Sequence, residues 1–307
     1  MANYIFMFPG QGSQYVGMMQ DIYNKYDRVK YLLREVEDIL GFPLGYTMFN
    51  GPDEVLTRTL YTQPAIFIHS AAIVYILRDS GIEPFVTMGH SLGEITALFS
   101  AGALTFSDAA KVVAKRAELM DRVYDRGGMS AVIGLEFEKI KEIIEGFKNR
   151  VVIANINSPS QIVISGFIDD LEIAEEKLKE AGAKKVIRLK VSNAFHSPLM
   201  EPARKEFEGF LRDIKFEAPK IPVIPNVEPG LESNPLMLKE LLVRQLCGTV
   251  RWVESLKVAS RVKNAHFVEI GPKRVLGRLL RETLGEVPYT SIDTYEELVE
   301  FLNQVKS

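Results

Sequence analysis

Pro84 to Gly102, PFVTMGHSLGEITALFSAG, holds the residues best placed to do chemistry. Phe85-Val86-Thr87-Met88 is a β-prone apolar run, Gly89-His90-Ser91-Leu92-Gly93 follows at once, and Glu94 to Ser100 reads as a helix. Strand, G-x-S-x-G and helix in that order are the setting in which a serine hydroxyl is held exposed on a sharp turn. Glycine at 89 and 93 suits a turn too tight for side chains. The helix start leaves N–H groups free and carries partial positive charge, which favours negative charge forming beside Ser91. The same pattern can be a plain strand–turn–helix connection. Ser91 as a nucleophile therefore requires a base and oxyanion donors elsewhere in the chain.

The chain has four histidines. His69 falls mid-helix on an apolar face and reads as a core residue, His90 belongs to the turn itself, and His266 begins a strand. His196, in Val191-Ser192-Asn193-Ala194-Phe195-His196-Ser197-Pro198-Leu199-Met200, is expected at a strand end before a proline-started helix and is the candidate general base. Gly10-Gln11-Gly12-Ser13-Gln14 follows a first strand, Tyr4 to Phe8, with neither dinucleotide-binding nor P-loop spacing. It is either a simple turn or a source of backbone N–H groups and glutamine amides at a strand end, where α/β sites are built. Gln63 either faces the site or caps a helix, and capping is the preferred reading. Arg116 lies inside a helix and reads as a solvated or snorkelling residue unless that helix packs near Ser91.

The elements that must hold these residues can be sketched from periodicity. Helical spacing runs through Tyr15 to Leu40 and stops at Gly41-Phe42-Pro43. Thr62-Gln63-Pro64 opens a helix from Ala65 to Arg78 that is apolar on most faces and so is expected to pack against a sheet. Ser107 is expected to cap a helix from Asp108 to Tyr124. The rhythm then changes: strand 129–133, helix 136–147, strand 151–156, strand 162–165, helix 169–181 and strand 186–191, a β-α-β-β-α-β succession of the ferredoxin-like kind. Its helices are heavily charged, as an exposed lid would be. Afterwards strand 223–226, helix 235–246, a helix led by Thr249-Val250-Arg251-Trp252, and strand 266–270 resume the larger unit. Alternating strands and helices predict a mostly parallel sheet covered on both faces. The expected division is a large α/β domain from 1–126 and 192–307, with a small inserted subdomain over 127–191.

Composition narrows the function. The 307 residues are 47% hydrophobic and 25% charged, ordinary for a globular protein. A net charge of −3 gives no support for nucleic acid as a partner. The single cysteine, Cys247, excludes an internal disulfide and a cysteine-built zinc site. No secretory signal is evident at MANYIFMFPG, and the most apolar helix candidate, 64–77, is interrupted by His69 and Ser70 and too short to span a bilayer, so no membrane role and a cytoplasmic location are expected.

Several motifs taken together resemble one family. GQGSQ at 10–14, GHSLGE at 89–94, Lys115-Arg116, NSPSQIVISG at 157–166, AFHS at 194–197, Gln245-Leu246 with Val250-Arg251-Trp252, and EIGP at 269–272 are similar, in this order, to malonyl-CoA:acyl carrier protein transacylases and the acyltransferase domains of fatty acid and polyketide synthases. The resemblance runs from the first strand to about Leu280. It implies an α/β-hydrolase-like large domain with a ferredoxin-like small one, and transfer of malonyl from malonyl-CoA to the phosphopantetheine thiol of acyl carrier protein by a ping-pong route, supplying fatty acid synthesis. By matching position it implies Ser91 as nucleophile and His196 as its base. Arg116 would hold the malonyl carboxylate, the Gln11 and Leu92 backbone N–H groups would form the oxyanion hole, and the Gln245 main-chain carbonyl would hold His196. It implies no metal and no cofactor. NAFH at 193–196 resembles the malonyl-preferring form of its motif. Two departures stand out: no proline precedes Val250-Arg251-Trp252, and Gly271-Pro272-Lys273 replaces Gly-Pro-Gly.

Carrier proteins of this kind are acidic, so Lys184, Lys185, Arg188 and Lys190 are either a docking patch or a solvated strand edge. Three other readings stay open on the same elbow: a serine thioesterase or hydrolase, which predicts an acid on His196 and no cation facing the acyl group; a non-catalytic carrier-binding domain; and the transferase component of a malonate decarboxylase.

Overall fold

The computed structural model describes residues 2–122, 126–191 and 193–306. Among the described residues nine strands form two sheets. In chain order they are β1 (Asn3–Phe8), β2 (Val86–Gly89), β3 (Gly127–Ile133), β4 (Val151–Ser158), β5 (Gln161–Phe167), β6 (Lys185–Arg188), β7 (Val223–Ile224), β8 (Ala265–Ile270) and β9 (Tyr289–Ile292). The larger sheet has the order β7-β2-β1-β8-β9 and every pairing in it is parallel. The smaller has the order β4-β5-β3-β6 and is antiparallel throughout. The protein is thus mixed α/β, with one parallel and one separate antiparallel sheet.

Burial on both faces of the parallel sheet follows from the alternation of its side chains. Along β1, Phe6 and Phe8 enter a core with Ile66, Ile68 and Leu98, while Ile5 and Met7 enter a second core with Trp252, Leu256 and Leu279. Each such side chain taken from water contributes about 1.5–3 kcal/mol. The antiparallel sheet has its own core, in which Val132, Ile162 and Ile164 pack against Ile140 and Leu178 of its two helices. A pairing that the sequence did not announce, between Val250 and β4, ties the two units together. Val250 N–H donates to Ala154 O (2.8 Å) and Ile156 N–H to Val250 O (2.9 Å), which extends the edge of β4 with a segment from the larger unit.

Several boundaries differ from expectation for identifiable reasons. Tyr26 is extended (φ −125°, ψ 113°), so the expected 15–40 helix is two, Gln20–Lys25 and Asp27–Leu40. The helix expected to open at Pro64 begins at Thr59 and runs to Asp79, with Pro64 inside it. Its first turn is closed ahead of the proline by Tyr61 and Thr62 N–H groups on Arg58 O, and the Thr62 hydroxyl reaches Leu56 O. This helix is long and apolar enough to cross a membrane by composition, but most of it is buried inside the protein. Thr105, not Ser107, caps the next helix, Phe106–Asp121, by accepting from Asp108 N–H at 3.1 Å. Tyr124, its expected end, and Ser192, the expected restart of the large domain, lie outside the described residues. β6 ends at Arg188, so His196 stands in a turn and not at a strand end. The sequence reading assigned no element beyond β8, where the helix Val275–Leu284, β9 and the helix Tyr295–Lys306 complete the sheet edge.

Candidate active site

The turn after β2 is built as the glycines required. Ser91 has φ 51°, a left-handed conformation that is strained for a non-glycine residue. A Cβ on Gly89 would lie 1.9 Å from Gly93 C and O, and one on Gly93 would lie 2.1 Å from Phe8 O. β1 and β2 end in register, with Phe8 opposite Gly89, so the Gln11 loop and the serine turn emerge side by side. Asn226, just after β7, clamps the turn: its Oδ1 accepts from Ser91 N–H (2.7 Å) and its Nδ2 donates to Gly89 O (2.7 Å).

His196, itself at φ 56°, is 3% exposed, and its Nε2 sits 2.8 Å from Ser91 Oγ. Its Nδ1 is 2.8 Å from the Gln245 main-chain oxygen. A carbonyl can only accept, so Nδ1 carries the proton and Nε2 is left as an acceptor for the serine hydroxyl. Burial, followed by the Arg116 charge, pushes His196 down to about 3, so the imidazole is neutral and able to accept. Gln245 ends the helix Pro235–Gln245, and the absent proline does not displace it.

Arg116 is fully buried on the helix Phe106–Asp121, so the snorkelling reading fails for it. That helix packs against Thr59–Asp79 and brings the guanidinium into the cavity. Nη1 donates to Gln63 Oε1 (2.9 Å), and Nη2 donates to Ser91 Oγ (3.0 Å) and Gln245 Oε1 (2.8 Å). Nε is buried with no hydrogen-bond partner among the described residues. Burial pushes Arg116 down to about 10, against the opposing pull of Glu94, and it stays cationic near neutrality. Gln63 is therefore a contact of this arginine and not a helix cap, which falls at Arg58. Its position could have been read from the all-round apolar helix, where an amide needs an internal partner.

A cavity of about 160 Å³ is lined by Gln11, Ser91, Leu92, Arg116 and His196 on one side and by Met129, Asn155 and Val163 of the antiparallel sheet on the other. Neither the Gln11 nor the Leu92 backbone N–H has a hydrogen-bond partner among the described residues. His90 Nε2 donates to Asn157 Oδ1 (2.8 Å), coupling the serine turn to β4. His69 is a core residue as expected, with Nε2 2.8 Å from Asp293 O. Two functional neighbours escaped sequence reasoning, Asn226 and Glu94. Glu94 did leave a signal: it is the one charged residue of a helix, Gly93–Ser100, whose eight residues are all buried.

The basic residues 184–190 divide. Lys185 pairs with Ile133, at the end of β3 away from Met129 and the cavity, and Lys184 precedes it. Arg188 is neutralised by Glu175 at 2.7 Å. Lys190 borders a groove it shares with Gln11 and Arg58, next to the cavity.

The acyl transferase domain family matches residues 5–299 of this chain. The malonyl CoA-acyl carrier protein transacylase of Staphylococcus aureus is 38% identical over 303 residues, 97% of this chain and 98% of that protein. The chain belongs to this transacylase family. Its fold agrees. An acyl carrier protein S-malonyltransferase from Vibrio cholerae superposes with a TM-score of 0.93 at 38% identity, covering 98% of this chain and all of that one. A malonyl-transacylase solved in complex with its type II PKS acyl-carrier protein gives 0.94 at 34% identity over 99% of this chain and all of that one. In the Gly271-Pro272-Lys273 turn, Lys273 takes φ 61°, a conformation that a glycine adopts without strain, and its N–H is held by Asp293 at 3.0 Å.

Proposed function

We infer that this chain transfers malonyl from malonyl-CoA to the phosphopantetheine thiol of acyl carrier protein, supplying malonyl-carrier protein for fatty acid synthesis. The observation that carries the reading is a buried guanidinium 3.0 Å from a serine Oγ that is itself 2.8 Å from a neutral imidazole. Ser91 Oγ attacks the malonyl thioester carbonyl as its proton passes to His196 Nε2. The Gln11 and Leu92 N–H groups stabilise the oxyanion, each such donor contributing on the order of 3 kcal/mol. The tetrahedral intermediate expels the CoA sulfur, which takes the proton back from His196. The pantetheine thiol then gives its proton to His196, attacks the seryl ester, and leaves with malonyl as Oγ recovers the proton. Arg116 holds the malonyl carboxylate, and acetyl, lacking it, leaves the cation without its partner. The reaction exchanges an oxygen ester for a sulfur ester with no change of oxidation state, and we assign it no metal or cofactor.

We read the architecture as an α/β-hydrolase-like large domain, 1–126 and 192–307, with a ferredoxin-like subdomain over 127–191. The strand order β4-β5-β3-β6 and its antiparallel pairings support the second term. The acidic carrier enters along the groove by Lys190, in the cytoplasm, with no nucleic acid or membrane involved. The hydrolase alternative predicts a carboxylate on His196 Nδ1, where this chain has a carbonyl.

Intact-mass spectrometry after brief exposure to malonyl-CoA or acetyl-CoA tests the reading. The expected result is a malonyl adduct on wild type, none on Ser91→Ala, and little or none from acetyl-CoA. CoA release without an adduct would overturn it in favour of hydrolysis.

A further inference from the structure

We propose that Glu94 is a specificity-determining positioning residue: its carboxylate fixes the Gln245 side-chain amide with Oε1 toward Arg116, and so aims the guanidinium at the acyl group's carboxylate. The proposal rests on the malonyl-transfer reading above. Glu94 is 1% exposed and does not itself line the cavity; its N–H donates to Ser91 O (3.1 Å), and its carboxyl group points to Gln245 and Asn226. Its Oε2 accepts from Gln245 Nε2 at 2.7 Å and from Asn226 N–H at 2.9 Å.

The surroundings of the Gln245 amide leave it one orientation. Nε2 faces three acceptors: Glu94 Oε2, Ser91 O at 3.0 Å and Asn226 Oδ1 at 3.3 Å. Oε1 faces a donor, Arg116 Nη2, at 2.8 Å. Turning the amide over would press its oxygen against three oxygens and its NH₂ against a guanidinium, which has no acceptor. Glu94 provides the shortest of the three contacts, and although burial pushes its carboxyl up to about 7, an acceptor oxygen faces Gln245 Nε2 in either protonation state. Gln245 serves two parts of the site at once, because its main-chain oxygen holds His196 while its side chain holds Arg116. A change that acts through the amide alone therefore affects acyl selection and leaves the base in place.

Two conservative variants separate reach from charge. Glu94→Asp keeps the charge but withdraws the carboxylate by about 1.5 Å, one carbon–carbon bond, which breaks the contact with Gln245. Glu94→Gln keeps the reach and one acceptor oxygen but loses the charge. The readout is the ratio of kcat/KM for malonyl-CoA to that for acetyl-CoA, measured by Ser91 adduct formation. Glu94→Asp should lower the ratio about 10-fold or more, the scale of one buried hydrogen bond left unmade, mainly through malonyl. Glu94→Gln should keep it within about 3-fold of wild type. Gln245→Ala, which retains the main-chain carbonyl, should lower the ratio as Glu94→Asp does, and combining the two should add little. Equal loss for both donors, a larger loss in Glu94→Gln than in Glu94→Asp, or multiplying losses in the double variant would each overturn the proposal. A wild type that shows no malonyl preference would instead sink the function reading on which it rests.

Discussion

Replacing Arg116 with alanine should lower malonyl transfer far more than acetyl transfer. The guanidinium is fully buried, 3.0 Å from Ser91 Oγ, in the cavity where an acyl group on that oxygen must lie. Hydrogen bonds to a charged group contribute about 1.5–3 kcal/mol each. A carboxylate held by two of them therefore gains about 3–6 kcal/mol, or roughly 10²–10⁴ in kcat/KM at about 1.4 kcal/mol per decade. Acetyl makes no such contact. Its rate should change by less than about 10-fold, through the lost hydrogen bond to Ser91 Oγ, which both donors share. A second readout comes from His196, whose pKa is lowered first by burial and second by the Arg116 charge. A nearby cation disfavours imidazolium, so removing it raises that pKa and moves the acid limb of the acylation rate to higher pH. Rapid-quench mass spectrometry of the Ser91 adduct across pH 3–8 with both donors reads both effects. Equal losses for malonyl and acetyl, or an acid limb that stays put, would refute the assignment of Arg116 as the selector.

Gly93→Ala places a Cβ 2.1 Å from Phe8 O and should destabilise by on the order of 3 kcal/mol in urea unfolding; a change under about 1 kcal/mol would show that the turn can relax. His196 is buried neutral, with a pKa lowered from 6.5 to about 3. As pH falls below 6.5 the unfolded chain takes up a proton that the folded chain refuses, so the native state loses up to about 1.4 kcal/mol per pH unit from this group. His196→Asn lacks that loss, so from pH 6.5 to 4.5 its stability should gain on wild type by about 2–3 kcal/mol, and a pH-independent difference in urea midpoints would reject it. Lys190→Glu should raise the KM for acyl carrier protein while leaving that for malonyl-CoA unchanged, and Lys185→Glu should change neither; the opposite ranking moves the docking surface to the far end of β6.

The serine turn was legible because tight backbone geometry leaves a mark on residue type. Only glycine fits at 89 and 93, and the strand and helix on either side carry their own periodicity. The β-α-β-β-α-β order of the insertion was legible for the same reason, with every strand and helix of it present within a few residues of its expected ends. What stayed hidden was decided by packing between distant segments. Whether Arg116 is a surface cation or a buried one depends on which way its helix faces, and the apolar stripe beside it fits both. Gln63 looked like a cap because Thr62-Gln63-Pro64 is a plausible helix opening; its contact lies 53 residues away, on Arg116. Asn226 carries no local signal, since nothing in Ile224-Pro225-Asn226 says that β7 will lie beside β2. The 184–190 cluster was legible as charge but not as place, because strand register alone decides which end of β6 lies near the cavity.

The neutral acceptor on His196 fits the acceptor that the reaction requires. A carboxylate at Nδ1 would stabilise imidazolium and make a stronger base, as an attacking water or an amide leaving group demands. Here burial and then the nearby guanidinium lower the basicity of the imidazole, and the carbonyl on Nδ1 offsets them only in part. A thiol ionises near 8.5, whereas water does so near 15.7. A weak base can therefore assist a pantetheine thiol while assisting water much less, and the seryl ester is spared for transfer. If Arg116 selects malonyl, as proposed, the same cation also weakens the proposed base. A malonyl carboxylate settling on Arg116 would offset part of that charge and return basicity to His196 with the correct acyl group in place. Selection of the acyl group and readiness of the base would thus be joined through one buried side chain.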